Sequence, residues 1–212
     1  MLLSIGSQTR PALPWVVYAY DIACPKRARM ARAVLAPHAG PRQYSVFECR
    51  LSNSWARDLL AEVAAGLDAQ ADHLALWWPR DGQRVGVGAG RRWLAREGVN
   101  GNEQRVDAAR CAALLAGAGT FVVSYDITCP RRAAGIHARV AGGGVMLQRS
   151  VYQWRCPVAV MVRLLEGCAA RLEAGDRFWV HPLRRSGDLW RVGEASTSLL
   201  PIATHHWPHH GV

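Results

Sequence analysis

The sequence predicts an α+β protein made of two tandem ferredoxin-like domains (βαββαβ) that pair as an intramolecular pseudo-dimer. The first observation is an internal repeat. A Tyr-Asp-Ile motif at residues 20–22, followed by Cys-Pro at 24–25, recurs 105 residues later at 125–127 and 129–130. A repeat of this kind indicates duplicated structural units. The second observation is that each copy follows the split β-α-β order of strand and helix patterns, which is typical of ferredoxin-like folds.

The first copy opens with a strand and a helix. Residues 15–22 form a β-rich run that ends at Asp21. Pro25 stands where the first turn of a helix favours proline. The apolar residues of 25–36 share one helical face, and Pro37 then ends the helix.

The remainder of the copy supplies the other strands and a second helix. Residues 43–51 alternate as a strand, and Ser52 or Ser54 is placed to cap the helix that follows. Residues 73–78 form the next strand, and residues 84–87 form a short extra one. The pattern leaves open where the central hairpin turns.

The repeat also sets the predicted domain boundaries. The first copy covers residues 12–89 and the second covers 120–195. Residues 90–119 form a linker with a short Ala-rich helix at about 107–116, and residues 196–212 form a tail. Near its end the first copy carries a Leu-Trp-Trp-Pro segment that is matched by a similar Trp-containing segment of the second copy, so that Trp77 corresponds to Trp179.

The cysteines and apolar stretches exclude several classes of protein. None of the six cysteines forms a C-x-x-C pair, so a disulfide framework or a zinc knuckle is not expected. No apolar stretch is long enough for a transmembrane helix, and the N-terminus lacks the features of a secretory signal. We therefore expect a cytoplasmic protein.

The charge favours a polyanionic partner. The net charge is +10, Lys26 is the only lysine, and each half of the chain carries +5 when divided at residue 105. Charge shared by two similar bodies suits a nucleic acid that lies across both. A membrane surface is less favoured, because no strongly amphipathic basic helix stands out.

These motifs together resemble the CRISPR-associated protein 2 family. They are a strand written V-V-Y-A-Y-D-I, a basic helix, the run Q-Y-S-V-F-E-C and an apolar strand that ends in proline. The resemblance covers residues 15–79 of the first copy, and in the second copy it is clear at 121–132 and 148–154. The second copy departs from the pattern where Glu48 is replaced by Gln153.

The resemblance implies a ferredoxin-like pair that works in spacer acquisition. The expected function is a structural, double-stranded-DNA-binding subunit that bridges dimers of the integrase, CRISPR-associated protein 1. The expected state of the isolated chain is a monomeric pseudo-dimer. Two alternatives stay open: a metal-dependent endonuclease acting on DNA or RNA, and a toxin-like ribonuclease with the same fold.

Asp21 and Asp126 are the candidate metal ligands and, if the protein is an enzyme, the candidate catalytic residues. The resemblance implies a divalent metal near the pair axis, and one or two carboxylates with water and phosphate oxygens can hold Mg²⁺. Such an ion can activate water against a phosphodiester. A strand-end aspartate before a helix is, by itself, more often a turn or cap residue.

Arginine side chains after each repeated motif are the candidate nucleic-acid contacts. They recur along one side of the first helix, and arginine binds phosphate oxygens well without reading bases. A solvated helix face is the alternative. The candidates are Lys26, Arg27, Arg29, Arg32, Arg42, Arg131 and Arg132. The second copy has His137 in place of the last helix cation, which predicts a weaker grip there.

Overall fold

The structure, a computed structural model, describes residues 12–40 and 45–193. The helices are α1 (Pro25–Leu35), α2 (Asn53–Ala65), α3 (Ala108–Leu115), α4 (Pro130–Ala141) and α5 (Val158–Ala169). The strands are β1 (Trp15–Asp21), β2 (Val46–Arg50), β3 (His73–Trp77), β4 (Arg84–Gly88), β5 (Arg92–Arg96), β6 (Glu103–Val106), β7 (Thr120–Asp126), β8 (Gly144–Gln148), β9 (Val151–Arg155), β10 (Arg177–Leu183) and β11 (Leu189–Val192). Arg42 and the predicted tail, residues 196–212, lie outside the described residues.

The two copies begin with the same strand–turn–helix unit. β1 and β7 each have seven residues and end at the repeated aspartate. Pro25 and Pro130 occupy the start of α1 and α4, where the fixed φ of proline suits the first turn and its missing N–H is not needed. Ser52 caps α2 by accepting a hydrogen bond from the backbone N–H of Trp55. The helix starts predicted at Pro25 and near Ser52 are confirmed.

The strands form two antiparallel sheets. The first sheet has the order β11-β3-β1-β2, and the second has the order β6-β5-β4-β10-β7-β9-β8. Within the second copy the order β10-β7-β9-β8, with α4 and α5 as the connecting helices, is the ferredoxin-like arrangement. In the first copy the partner of β2 is reduced to a single bridge between Ala39 and Cys49 among the described residues. The α+β ferredoxin-like prediction is confirmed.

Each copy contributes one strand to the sheet of the other. β4 follows the first copy but pairs with β10 of the second, from Arg177 opposite Gly88 to Val180 opposite Val85. β11 follows the second copy but pairs with β3 of the first, from Leu189 opposite Trp77. Main-chain hydrogen bonds therefore join each copy to the sheet of the other, and the two copies form a single structural unit.

The two sheets also pack face to face. Successive side chains of a strand point to opposite faces, so Val16 and Tyr18 of β1 face α1 and α2 while Val17 and Ala19 face the other sheet. The layer between the sheets contains Val17, Ala19, Val46, Ala75, Trp77, Val122, Leu147, Val151, Leu183 and Leu189. The helices consequently cover the outer faces, and the pseudo-dimer has an apolar interior.

Residues 90–119, expected to be a linker with a short helix, are built into the second copy. β5 and β6 extend its sheet beyond β4, and α3 packs against α5. Ala95, Cys111 and Leu115 are fully buried in this core. Asp107 caps α3 by accepting a hydrogen bond from the backbone N–H of Arg110. The segment therefore adds to the hydrophobic core of the second copy.

All six cysteines lie in the described part of the chain and are free thiols. Cys49, Cys111 and Cys168 are buried in the cores, where burial raises the pKa of each thiol to about 12. These three are packing residues. No helix of the described residues is long and apolar enough to cross a bilayer.

Candidate nucleic-acid interface and aspartate clefts

The two predicted metal ligands lie at equivalent strand ends but have different neighbours. Asp21 lies opposite His73 of β3, whereas Asp126 lies opposite Arg177 of β10. Directly opposed residues on one face of a sheet are close enough to interact. An imidazole therefore neighbours Asp21 and a guanidinium neighbours Asp126, so the copies are not chemically equivalent at this point.

Asp21 lines a cleft of about 250 Å³ between the two sheets, which we call the junction cleft. Its walls are Asp21, His73 and Arg191 from the first sheet and residues 146–149 of the second copy, at the end of β8. The site is formed only because the two copies pack together.

Asp126 lines a separate cleft of about 340 Å³. His137 of α4 and Ser150, in the β8–β9 turn, lie in the same cleft, which we call the Asp126 cleft. Arg149 lines this cleft and the junction cleft alike. The two aspartates thus do not share a site, but each has Arg149 in its surroundings.

The donors for a metal ion are few. Among residues 12–40 and 45–193, no three His, Cys, Asp or Glu side chains form a group that could hold an ion. Asp21 and Asp126 would each supply a single carboxylate, and water and phosphate oxygens would be the other ligands, as Mg²⁺ commonly accepts. The magnesium site stays a prediction.

Arg27 and Arg132, predicted as phosphate contacts, each bind a buried aspartate of their own copy. The Nε atom of Arg27 lies 2.5 Å from Oδ2 of Asp72, and its Nη2 lies 3.2 Å from Oδ1. In the second copy the Nε atom of Arg132 lies 2.8 Å from Oδ2 of Asp176. Both aspartates are fully buried. We call each pair an Arg–Asp clamp.

Backbone groups complete each clamp. The N–H groups of Ala23 and Asp68 donate to Asp72, and those of Thr128 and Glu173 donate to Asp176. Each clamp therefore connects the turn between the first strand and helix of its copy to the loop before β3 in the first copy, or before β10 in the second.

The hydrogen bonds of the clamp change the acidity of its carboxyl group. Burial alone would raise the pKa of Asp176, but the hydrogen bonds from Arg132 and from the backbone lower it to about 2. The pKa of Asp72 is lowered for the same reasons. Both aspartates are ionised at neutral pH, so each clamp is an ion pair that leaves less of the arginine for a phosphate.

The other predicted contacts lie on the outer helices. Lys26 and Arg29 of α1 are exposed, as is Arg131 of α4, while Arg32 is partly buried. These exposed cations occupy the outer face of each copy beside its clamp. They are the basic side chains of the predicted set that solvent, or a polyanion, reaches most easily.

His137 contacts two tyrosine hydroxyls in the second copy. Its Nδ1 atom lies 2.9 Å from the Tyr152 hydroxyl and 3.2 Å from the Tyr125 hydroxyl. Burial raises the pKa of both tyrosines, so both remain protonated. The corresponding residues of the first copy are Arg32 and Phe47, which cannot form such a cluster. The repeat aligns Phe47 with Tyr152, but nothing in the sequence indicates that His137 would contact this tyrosine.

A buried charged network joins the two sheets at Glu48. This carboxylate of β2 forms ion pairs with Arg84 of β4 and Arg96 of β5. Nε2 of His181, on β10, lies 3.3 Å from Oε1 of Glu48. Both guanidinium groups also lie over aromatic rings. The Cζ atom of Arg84 is 4.0 Å from the ring centre of Trp179, and the Cζ atom of Arg96 is 3.9 Å from the ring centre of Trp15. A carboxylate of the first sheet thus compensates two cations of the second.

The network keeps Glu48 ionised. Burial alone would raise the pKa of Glu48, but the hydrogen bond from His181 and the charges of Arg84 and Arg96 lower it well below its usual range. Burial lowers the pKa of His181, so the imidazole is neutral at neutral pH. In the sequence Glu48 stood out only because the second copy has glutamine there.

Comparison with known proteins agrees with the motifs. The family model of the CRISPR associated protein Cas2 matches residues 14–84, from the residue before β1 to the first residue of β4. A solved structure of a hypothetical protein from Thermus thermophilus is 31% identical, with 34% of this chain and 85% of that chain covered and a TM-score of 0.31. No curated protein matches the chain. With the family match on the first copy and the repeat of its motifs in the second, the chain belongs to the CRISPR-associated protein 2 family.

Proposed function

We propose that the protein is a structural, double-stranded-DNA-binding subunit of the CRISPR adaptation complex. In this role it bridges dimers of the integrase, CRISPR-associated protein 1, and holds prespacer DNA against its basic surface. The observation that carries the proposal is the exchange of β4 and β11, which joins two like copies into one body. A rigid body with two similar ends suits a bridge between two identical partners.

The distribution of charge supports DNA as the ligand. The net charge of +10 is divided between the copies, and each copy exposes cations on its first helix, Lys26 and Arg29 on α1 and Arg131 on α4. Guanidinium and ammonium groups at such positions contact the phosphates of any sequence. The affinity for DNA is therefore expected to depend strongly on salt concentration and only weakly on base sequence.

Replacing Lys26 and Arg29 with alanine is expected to weaken duplex binding for all sequences alike. Each lost phosphate contact should reduce the slope of log affinity against log salt concentration by about 0.9. Arg131→Ala, which removes one cation from the second copy, should have the smaller effect. Fluorescence anisotropy with a labelled duplex at several salt concentrations measures both quantities.

The matched control removes the same charge from other exposed positions. Arg92 on β5 and Arg163 on α5 are both exposed, and R92A/R163A should retain a salt slope closer to that of the wild type. Equal slopes for the two double variants would show that α1 has no special role and that only the total charge matters.

A second candidate, a metal-dependent endonuclease, is favoured by the presence of His137 in the Asp126 cleft. Asp126 would hold Mg²⁺ there, and Asp21 would do so in the junction cleft. Bound Mg²⁺ would supply a water of lowered pKa for attack on a phosphodiester. His137, whose Nδ1 atom contacts the Tyr125 and Tyr152 hydroxyls, would accept the proton of that water in the Asp126 cleft.

Asp21→Asn combined with Asp126→Asn separates scaffold from enzyme. Asparagine retains the shape and removes the charge, so we expect the double variant to fold, to bind the integrase and to support spacer integration. Integration and nuclease activity are measured on the same preparation, with pull-down of the integrase as the check on assembly. Loss of integration in a folded, integrase-bound variant would contradict the scaffold role of these residues.

A further inference from the structure

The junction cleft contains buried polar groups without a partner. Gln148 is only 4% exposed, and among the described residues its Nε2 atom has no hydrogen-bond acceptor. The buried Nδ1 atom of His73 is unpaired in the same way. Both residues line this cleft. Folded proteins rarely leave a buried donor unsatisfied, because the lost solvation is costly.

The cleft also contains a partly buried arginine without an acidic partner. Arg191 lies on β11 opposite Ala75 of the neighbouring strand β3, and therefore diagonal to His73 of that strand, at the edge of the layer between the sheets. Burial lowers its pKa, and no hydrogen bond or ion pair of its side chain is found within the described residues. A cation withdrawn from water is stabilised when an anion or hydrogen-bond acceptors meet it.

Arg149 adds a second guanidinium at the mouth of the cleft. It is exposed at the β8–β9 turn, and its carbonyl accepts a hydrogen bond from the Tyr125 hydroxyl. Its guanidinium has no partner in the described part of the chain. The junction cleft therefore contains two guanidinium groups and an amide donor against one carboxylate, that of Asp21.

We propose that the junction cleft binds a phosphate group of the nucleic acid through Arg149, Arg191 and the Gln148 side-chain amide. The ligand class rests on the proposed function, since a DNA backbone is the source of phosphate that this function supplies. The site differs from the exposed cations of α1 and α4 because both sheets build it. In this assignment the carboxylate of Asp21 repels the phosphate and weakens its binding.

Inorganic phosphate is the probe for the cleft itself. Calorimetric titration is done in EDTA, with chloride keeping the ionic strength constant. Arg149→Ala and Arg191→Met should each weaken phosphate binding about tenfold, the effect of losing a charge-assisted hydrogen bond. Arg92→Met, a matched loss of a strand arginine, should leave it unchanged. Asp21→Asn should strengthen it, because a repelling charge is removed.

The outcomes distinguish the cleft from the function. Absence of phosphate binding to the wild type, unchanged binding to R191M, or weaker binding to D21N would each overturn the site. A melting curve of R191M like that of the wild type shows that folding is intact. The same variants are then titrated with duplex DNA. If R191M no longer binds phosphate but retains its affinity for duplex DNA, the cleft is not part of the DNA-binding surface and the proposed ligand class is wrong. If the wild type binds phosphate but neither it nor any variant binds duplex DNA, the proposed function fails instead.

Discussion

Replacement of Glu48 by glutamine is expected to lower the free energy of unfolding by about 3–5 kcal/mol, the usual effect of removing one partner of a buried ion pair. Glutamine occupies nearly the same volume, so the loss comes from charge and not from a cavity. Arg96, 4% exposed, and Arg84 would remain between the sheets with no carboxylate of the first sheet to compensate them. Urea denaturation followed by tryptophan fluorescence measures the change.

Glu103→Gln is the matched control for this substitution. Glu103 pairs with the same Arg84, but at the exposed edge of the sheet, so its loss should be less than about 1 kcal/mol. A Glu48→Gln protein no less stable than the Glu103→Gln protein would show that the buried network does not hold the sheets together.

The parts of the fold with local signals could be predicted from the sequence. The repeat gave the two copies, proline gave the helix starts, and the alternating run at residues 84–87 gave β4. The strand partners could not be predicted, because β4 pairs with β10 rather than with a neighbour in its own copy. The hairpin of β5 and β6 was missed for a related reason: its exposed Glu103–Val106 strand has little of the alternation that marks a core-facing strand.

The structure corrects the predicted equivalence of the two copies at one strand. The similar Trp segments matched Trp77 with Trp179, but Trp77 lies opposite Val17 in β1 and His181 lies opposite Val122 in β7. Trp77 and His181 are therefore the true equivalents, and their rings meet edge to face at 5.7 Å. A shift of two residues preserves the alternation of faces, so periodicity alone could not detect it.

The sequence predicts which residues belong to the candidate site, but it does not predict which residues they contact. Asp21 and Asp126 stand at strand ends as expected, yet the clefts that receive them are built by distant segments. The position of Arg27 and Arg132 on basic helices predicts phosphate contact, and the sequence does not show that Asp72 and Asp176 bind them. The available sequence signal for these partners is an aspartate directly before the equivalent strands β3 and β10.

Asp72→Asn and Asp176→Asn are each expected to lower the free energy of unfolding by about 2–3 kcal/mol, because a hydrogen bond to a charged group is lost and buried backbone donors are left less well paired. The two effects should be similar, since the clamps have the same contacts in both copies. Chemical denaturation at neutral pH measures them. Glu173→Gln is the control: its side chain also pairs with Arg132 but is 68% exposed, so its loss should be under about 1 kcal/mol.

The acid range gives the clamp an independent test. The pKa of Asp176 is about 2 in the folded protein against an ordinary value of 3.8. A carboxyl group whose pKa is lowered by folding stabilises the fold above its ordinary pKa, and this contribution is lost as the pH falls through the folded-state value. The wild type should therefore lose stability between pH 3.8 and about 2, and Asp176→Asn should lose less over the same range. Parallel pH profiles for the two proteins would show that the carboxylate of Asp176 is not held as an ion pair by Arg132.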